Sequence, residues 1–479
     1  MSGAGGPDPD AKRDRKLAAL AVIAKLAVSA LVLASGFVAV SDDDFARVVI
    51  AQRFAQAPAL DPTGTSWLPL PFWLYGTAFA AFGPDLAVAR ALGVLLGALS
   101  ILAVFQAARW LGAGRLGALA GALAAATLPW SAWLGAATLP EAPTAGLLVL
   151  GMASLGSEDV RRRTIGAGAV ALACLARYEA WPVAAAFAAF TALDARRRSP
   201  ALFGAAGLGV LPIGLWLLHG AVRHDDALFF WKRVAGYKQA LGGTGGTALR
   251  ALDPFLELFA SAPWVWLASP VLFVVVRQAP GSLAPLRRYL RGAVSCLLLV
   301  SFLSIGELGG GAPTHHAERV LLPVWYFACI AMGHALEAVT RERRREPLFW
   351  GGVTLVALLH LASGRVAGPR DFARRDAELD IGDAARRVGA PALVVDTPDF
   401  GYFAVLAAFG RPLGSEPLDD RDPRRARPED AFRSPDALRK RLGEPAAWLV
   451  ATREHGAVAA ALGLVRAENA RFVLVEPKR

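Results

Sequence analysis

Three consecutive carboxylates, Asp42, Asp43 and Asp44, follow the first long apolar run of this 479-residue chain. One Asp is enough to cap the helix that begins near Phe45 and to complement its dipole. Carboxylates clustered at the lip of a bilayer repel anionic lipid and are costly to bury, so a run of three points to a task as well as a cap. A carboxylate takes a proton from a hydroxyl or holds a cation, and a guanidinium neutralises an anion. Two arginines stand in equally expensive places. Arg177, in "CLARYEAW", lies between two apolar half-spans beside Tyr178 and Glu179, and Arg319, in "HHAERVLLPVW", opens an apolar run behind His315 and His316. A structural ion pair with Glu179 is the other reading of Arg177, and a polar loop is the other reading of the His pair.

Glu141 opens one apolar run and Glu307 closes another, positions that suit a helix cap or a site residue equally. The stretch "RHDDALFFWKRVAGYKQALGGTGG", from Arg223, reads as a loop over a bound substrate, with Lys232 and Arg233 near lipid phosphates. Its Gly-rich end lacks the strand-to-helix context and the Lys-Ser/Thr ending of a nucleotide loop, which argues against cytosolic nucleotide-sugar chemistry. Trp67, Trp73, Trp130 and Trp133 read as a membrane-interface belt more readily than as sugar-stacking surfaces.

The elements that must position these residues are mostly membrane helices. The chain is 55% hydrophobic, and windows long enough to cross a bilayer recur along it. Apolar runs near 17–40, 86–108, 116–134, 141–156, 164–176, 180–193, 201–219, 260–276, 292–306, 320–339 and 348–364 predict an α-helical polytopic membrane protein with about eleven transmembrane helices. The first is too long for a signal-peptide core and is expected to stay uncleaved. The net charge of +11 comes as short clusters between the runs, without a basic domain, which excludes nucleic acid as the partner. With strict alternation every basic cluster falls on one side, the cytoplasm by the positive-inside rule, and the acidic and Arg motifs all fall on the other. Phe45, Val48, Val49 and Ile50 form an apolar face, so 45–56 is expected to be an amphipathic helix lying at the membrane interface. Cys174, Cys296 and Cys329 sit inside apolar runs and read as buried packing residues.

Beyond residue 366 charge and proline rise and the apolar runs shorten. "PALVVDTPDF", "AAWLVATREHG" and "RFVLVEPKR" each hold a short strand-like run, and 371–388 is helical in pattern. The expected division is a basic cytoplasmic N-terminus over 1–16, a transmembrane domain over 17–365 with a first outer loop at 41–70, and a small extracytoplasmic α/β domain over 366–479. The Asp419 to Pro435 stretch reads as a loop.

An acidic pair after the first helix, an interfacial helix and then the Trp/Pro-rich "WLPLPFW" resembles the GT-C superfamily of membrane glycosyltransferases. The likeness is to the bacterial branch related to protein O-mannosyltransferases and lipid A aminoarabinose transferases. "LPEAPTAGLLVLGMASL", "CLARYEAW" and "HHAERVLLPVWYFACIAMG" resemble later motifs of that family, with Val320 where the family has Tyr. The resemblance implies a polyprenyl-phosphate sugar donor, membrane lipids around the site, and a lipid, glycan or protein acceptor. It implies Asp42 as general base and Asp43 as orienting group or metal ligand, with Asp44 at a position that is usually neutral. Arg177, Arg319, His315 and His316 become donor-phosphate contacts. A divalent metal on Asp43, His315 and His316 is possible under this reading, and no other cofactor is implied. One base opposite a leaving phosphate gives inversion at the anomeric carbon. The rival is a transporter or flippase, in which the same charges would line a path.

Overall fold

The computed structural model describes residues 9–64, 66–197, 199–240, 248–266, 283–308, 317–342, 346–362, 374–397, 399–418, 432, 438–439, 442 and 447–478. Helix α1 (Pro9–Ala34) ends where Gly36 takes φ +87°, a conformation that closes a helix at no Cβ cost. Helix α2 (Asp42–Gln56) follows, then α3 (Leu70–Phe82) and α4 (Leu86–Trp110), whose N-terminus is capped by the Asp85 side chain on Ala87 N. The apolar run expected at 116–134 breaks at Pro129 into α5 (Arg115–Thr127) and α6 (Pro129–Leu134), because the residue before proline leaves the helical region. Helices α7 (Glu141–Ser154), α8 (Val160–Cys174), α9 (Ala180–Arg197), α10 (Leu202–His224), α11 (Phe229–Ala240) and α12 (Asp253–Ser261) continue the bundle. It closes with α13 (Leu283–Leu308), α14 (Leu322–Glu342) and α15 (Glu346–Ala362).

Among the described residues, five helices are long and apolar enough to cross a membrane: Lys12–Ala34, Leu86–Trp110, Leu202–His224, Arg288–Leu308 and Glu318–Thr340. Several other expected spans form shorter helices. The 15 residues of α8 rise about 22 Å against a hydrocarbon core of about 30 Å. The expected run at 260–276 lies mostly outside the described residues. Small residues bring helices together, as where Gly333 of α14 meets Gly117 and Gly121 of α5. Trp130 and Trp133 are buried in the core formed there, which removes them from the expected interface belt; the three cysteines are buried too.

The bundle has two chemically different ends. At one, Arg109 and Arg115 pair with Asp14, Arg163 and Arg291 pair with Asp194, and Arg288 lies against the turns at Gly112 and Gly156. The other end carries Asp42, Asp43, Glu141, Arg177, Glu179 and Arg319, and against it sits the C-terminal fold.

That fold contains α16 (Asp376–Arg387), β1 (Leu393–Val395), α17 (Tyr402–Phe409), β2 (Glu416–Pro417), β3 (Trp448–Thr452), α18 (Gly456–Leu462), β4 (Gly463–Glu468) and β5 (Phe472–Pro477). The sheet order is β2-β1-β3-β5-β4, with β1 parallel to β2 and β3, and β5 antiparallel to both its neighbours. Of the stretch 419–435, only Phe432 lies within the described residues.

The core of this fold continues into the first outer segment. Phe45, Val48 and Val49 of α2 and Phe72, Tyr75 and Phe79 of α3 form one buried cluster with Ile381, Tyr402, Val405 and Phe409. The apolar face of α2, expected to lie on lipid, is therefore covered by protein. Gln52 reinforces the contact, its buried amide donating to the carbonyls of Pro84 and Ala407.

Candidate functional site

The three carboxylates at the start of α2 face three different surroundings. Asp44 is buried, and its carboxylate accepts from Val40 N (3.0 Å), Ser41 N (3.3 Å), Thr138 N (3.0 Å) and Thr138 Oγ1 (3.0 Å). Burial pushes its pKa up while these donors pull against it. Both oxygens are spent on holding the helix start against the loop before α7. An amide here would set its NH₂ group against backbone N–H groups, so Asp44→Asn is expected to cost about 1–3 kcal/mol of stability. A melting curve of the detergent-purified variant within error of wild type would refute this.

Asp42 faces the C-terminal fold. Its oxygens accept from Arg375 Nε at 2.9 Å and Arg375 Nη2 at 2.8 Å, a bidentate pair. Asp43 faces the bundle, where Arg319 Nη2 stands 3.2 Å from its Oδ2, and its side chain stays 43% exposed against 26% for Asp42.

Behind Asp43 lies a buried charge cluster drawn from four distant segments. Glu141, the first residue of α7, receives Arg177 Nη1 at 2.6 Å and has Arg319 Nε 3.0 Å from the same oxygen. Arg177 also forks onto Glu179, with Nε at 3.0 Å and Nη2 at 2.8 Å. Arg47, on the buried side of α2, lies over the Trp67 ring at 4.4 Å and the Phe72 ring at 5.7 Å, a cation–π contact. The N–H groups at Arg47 Nε and Arg319 Nη1 and the Glu141 Oε2 acceptor are buried and make no hydrogen bond among the described residues. Buried donors left unpaired are costly in isolation, and guanidiniums that offer them can hold a multivalent anion.

The structure thus brings together Asp43, Glu141, Arg177, Glu179 and Arg319, and joins Asp42 to them through the start of α2. Tyr178 adjoins the cluster, its ring stacked on Phe230 at 4.3 Å and its hydroxyl accepting from Trp216 Nε1. Lys232 pairs with Asp226 and is largely exposed, while Arg233 reaches the Gly64 carbonyl at 3.3 Å. Glu307 lies half-buried in the last turn of α13. His315 and His316 lie outside the described residues, and with them two of the three ligands of the possible metal set with Asp43. A different set can hold a cation: Asp61, His219 and His224 place one ligand atom each within 4.8 Å of one another, between the outer segment and the end of α10. Sequence reasoning missed Arg47 and Arg375 as site residues. Arg47 stands as a single charge among the apolar residues 45–50, and Arg375 is one of several arginines in a charged stretch.

No family model and no curated protein matches this sequence. Solved structures do match. ArnT from Cupriavidus metallidurans in the apo state superposes with a TM-score of 0.65 and 15% identity over 96% of each chain. ArnT of the same organism bound to undecaprenyl phosphate gives 0.61 and 16% over 96% of this chain and 97% of that one. The Saccharomyces cerevisiae Pmt1–Pmt2 complex bound to its sugar donor gives 0.34 over 46% of this chain and 34% of that one, too slight a likeness to carry an argument. At these identities the likeness is one of fold: over 96% of its length this chain shares the fold of ArnT, and its long apolar helices make it a multi-pass membrane protein.

Proposed function

We propose that this protein is a membrane glycosyltransferase that moves a sugar from a polyprenyl-phosphate carrier to a lipid, glycan or protein acceptor, with inversion. The observation that carries this reading is the meeting of an exposed carboxylate, Asp43, with Arg319 at the mouth of a buried guanidinium pair. It is supported by a fold shared with a protein crystallised with undecaprenyl phosphate. A single cation would serve any anion; a carboxylate beside the anion receptor suits a reaction in which one group is deprotonated while another leaves with charge.

In this mechanism the acceptor hydroxyl attacks the anomeric carbon from the face opposite the phosphate. Asp43 takes the hydroxyl proton as the new C–O bond forms. The bond from the anomeric carbon to the phosphate oxygen breaks, and the electron pair stays on the departing polyprenyl phosphate. Arg319 and Arg47 stabilise that charge. Asp42, with both oxygens on Arg375, fixes the start of α2. Glu141 holds Arg177 and Arg319 in place and Glu179 holds Arg177, so Arg177 acts one step behind the phosphate.

The polar end of the bundle is proposed to face away from the cytoplasm, the basic clusters marking the opposite end by the positive-inside rule. A cytoplasm-only reporter fused after Arg479 is expected to stay silent; strong signal would reverse the orientation and move the reaction to the cytoplasmic side. The activity is tested by incubating purified protein with radiolabelled polyprenyl-phosphate sugars and cell-envelope acceptors. Transfer of label to an acceptor is the expected result. Passage of lipid-linked sugar across proteoliposomes without transfer would favour a flippase instead.

A further inference from the structure

Arg375 joins the C-terminal fold to the carboxylates at the start of α2. Arg375 lies just ahead of α16 and spends three nitrogens on carboxylates from two parts of the molecule. Nε and Nη2 fork onto Asp42, and Nη1 reaches both oxygens of Asp399 at 2.9 and 3.1 Å and Glu378 Oε1 at 3.4 Å. Glu378 is itself buried and receives Arg471 Nη1 at 2.9 Å. Burial works against the Asp399 charge, yet hydrogen bonds from Arg375 and Gly401 hold its pKa below the usual carboxylate range. Gly401 makes room for this network. A Cβ there would stand 2.9 Å from Asp399 Oδ1, 3.0 Å from Glu378 Oε1 and 3.2 Å from Arg375 Nη1.

A clamp of this kind on a surface loop would contribute little, because exposed ion pairs are worth ~0–1 kcal/mol. Three features set it apart. Arg375 is mostly buried, with 13% of its side chain exposed. Its partner Asp42 is the residue directly before Asp43, in the first turn of α2, and Asp44 in that same turn is pinned from the bundle side by Thr138. The turn is therefore held from both sides, and Asp43 is the one carboxylate of the three that faces neither anchor. Between the two anchors Asp43 stands 3.2 Å from Arg319 Nη2, with its side chain 43% exposed.

We propose that the C-terminal fold is a working part of the transferase, supplying Arg375 as a positioning residue that locks Asp42 and so aims Asp43 at the acceptor. This inference rests on the transferase reading given above for what Asp43 does, but the lock itself is independent of it. Domain contacts elsewhere keep the fold docked without Arg375. Arg386 pairs with Asp85 at 2.8 Å, and the shared apolar core of α2, α3 and α17 remains. Loss of the clamp should thus loosen a turn and leave the assembly standing.

The test uses the full-length protein in nanodiscs, as Arg375→Gln, Arg375→Lys and Asp399→Asn. Hydrogen exchange needs no substrate. In Arg375→Gln the amides of the first turn of α2 are expected to exchange at least tenfold faster, while those of β1 and β3 keep their wild-type rates. Unchanged protection of that turn would overturn the lock. On the transfer assay, kcat per folded molecule is expected to fall about 10- to 100-fold, with binding of radiolabelled polyprenyl phosphate unchanged. Arg375→Lys should recover only part of it, lacking the planar fork. Asp399→Asn, which leaves the Asp42 contact in place, should fall less than Arg375→Gln. A loosened turn with normal kcat would refute the positioning role. Were wild type inactive toward every polyprenyl-phosphate sugar, the transferase reading would fail while the exchange result still decided the lock.

Discussion

Arg319→Gln is expected to lower sugar transfer by about 10²–10³-fold, equivalent to roughly 3–4 kcal/mol at the transition state, with the protein still folded in the membrane. Arg319 is 4% exposed, and its Nη1 makes no hydrogen bond among the described residues, which leaves that donor for the leaving phosphate of the proposed reaction. Its removal does not strand Glu141, which keeps Arg177 at 2.6 Å. Arg177→Gln makes the opposite case. All three of its nitrogens are committed to Glu141 and Glu179, and breaking such a buried pair costs about 3–5 kcal/mol of stability. The two variants therefore separate by measurement. Arg319→Gln, which breaks one contact to Glu141, should lose less melting temperature than Arg177→Gln and lose most of its kcat; Arg177→Gln, which also strands Glu179, should lose melting temperature and yield, with a smaller drop in turnover per folded molecule. Arg319→Lys should recover activity only in part, since one ammonium cannot present two parallel donors. If Arg319→Gln turns over normally, the phosphate lies elsewhere and the guanidinium pair serves the fold.

The residues legible in the sequence are those whose cost shows locally. Charge inside an apolar run is conspicuous, which is why Arg177, Glu141 and Arg319 could be singled out without knowing that 36 residues separate the first pair and 142 or more the others. The strands at Leu393–Val395, Trp448–Thr452 and Phe472–Pro477 were legible for a similar reason, being short β-branched runs between turn residues. Arg375 had no such signal. A charged residue in a charged stretch carries no visible cost, and its value comes from Asp42, 333 residues away. Nor could three adjacent aspartates be told apart by sequence. What divides them is which wall each faces, and those walls are Thr138, Arg319 and Arg375, fixed only by packing. The same holds for α2, whose apolar face is equally well explained by lipid or by protein until the partner helix α17 is placed.

Asp43→Asn is expected to abolish measurable transfer, a loss of about 10²–10⁴-fold for a general base, while binding of the polyprenyl-phosphate donor persists. The amide keeps the size and shape of the side chain and can still accept from Arg319 through its carbonyl oxygen, so neither the fold nor the phosphate receptor is removed with the base. Asp42→Asn should fall less. It leaves an oxygen for one N–H of Arg375 and places an NH₂ against the other, which disturbs the lock without removing the group that takes the proton. The sequence alone ranks the two the other way, with Asp42 as base, and the kinetics of these variants decide between the rankings. A dead Asp42→Asn beside an active Asp43→Asn would return the base to Asp42 and make Asp43 the partner of Arg319 only. A second signature belongs to the base itself. In Asp43→Ala, whose short side chain leaves room where the carboxylate stood, small exogenous carboxylates such as formate should restore part of the rate in proportion to their concentration, because the wild-type side chain is 43% exposed and the space it leaves is open to solvent. A merely structural Asp43 would not respond to them. Should both single variants and the double variant transfer sugar at the wild-type rate, no carboxylate at the start of α2 takes part in the chemistry, and the proposed mechanism is wrong.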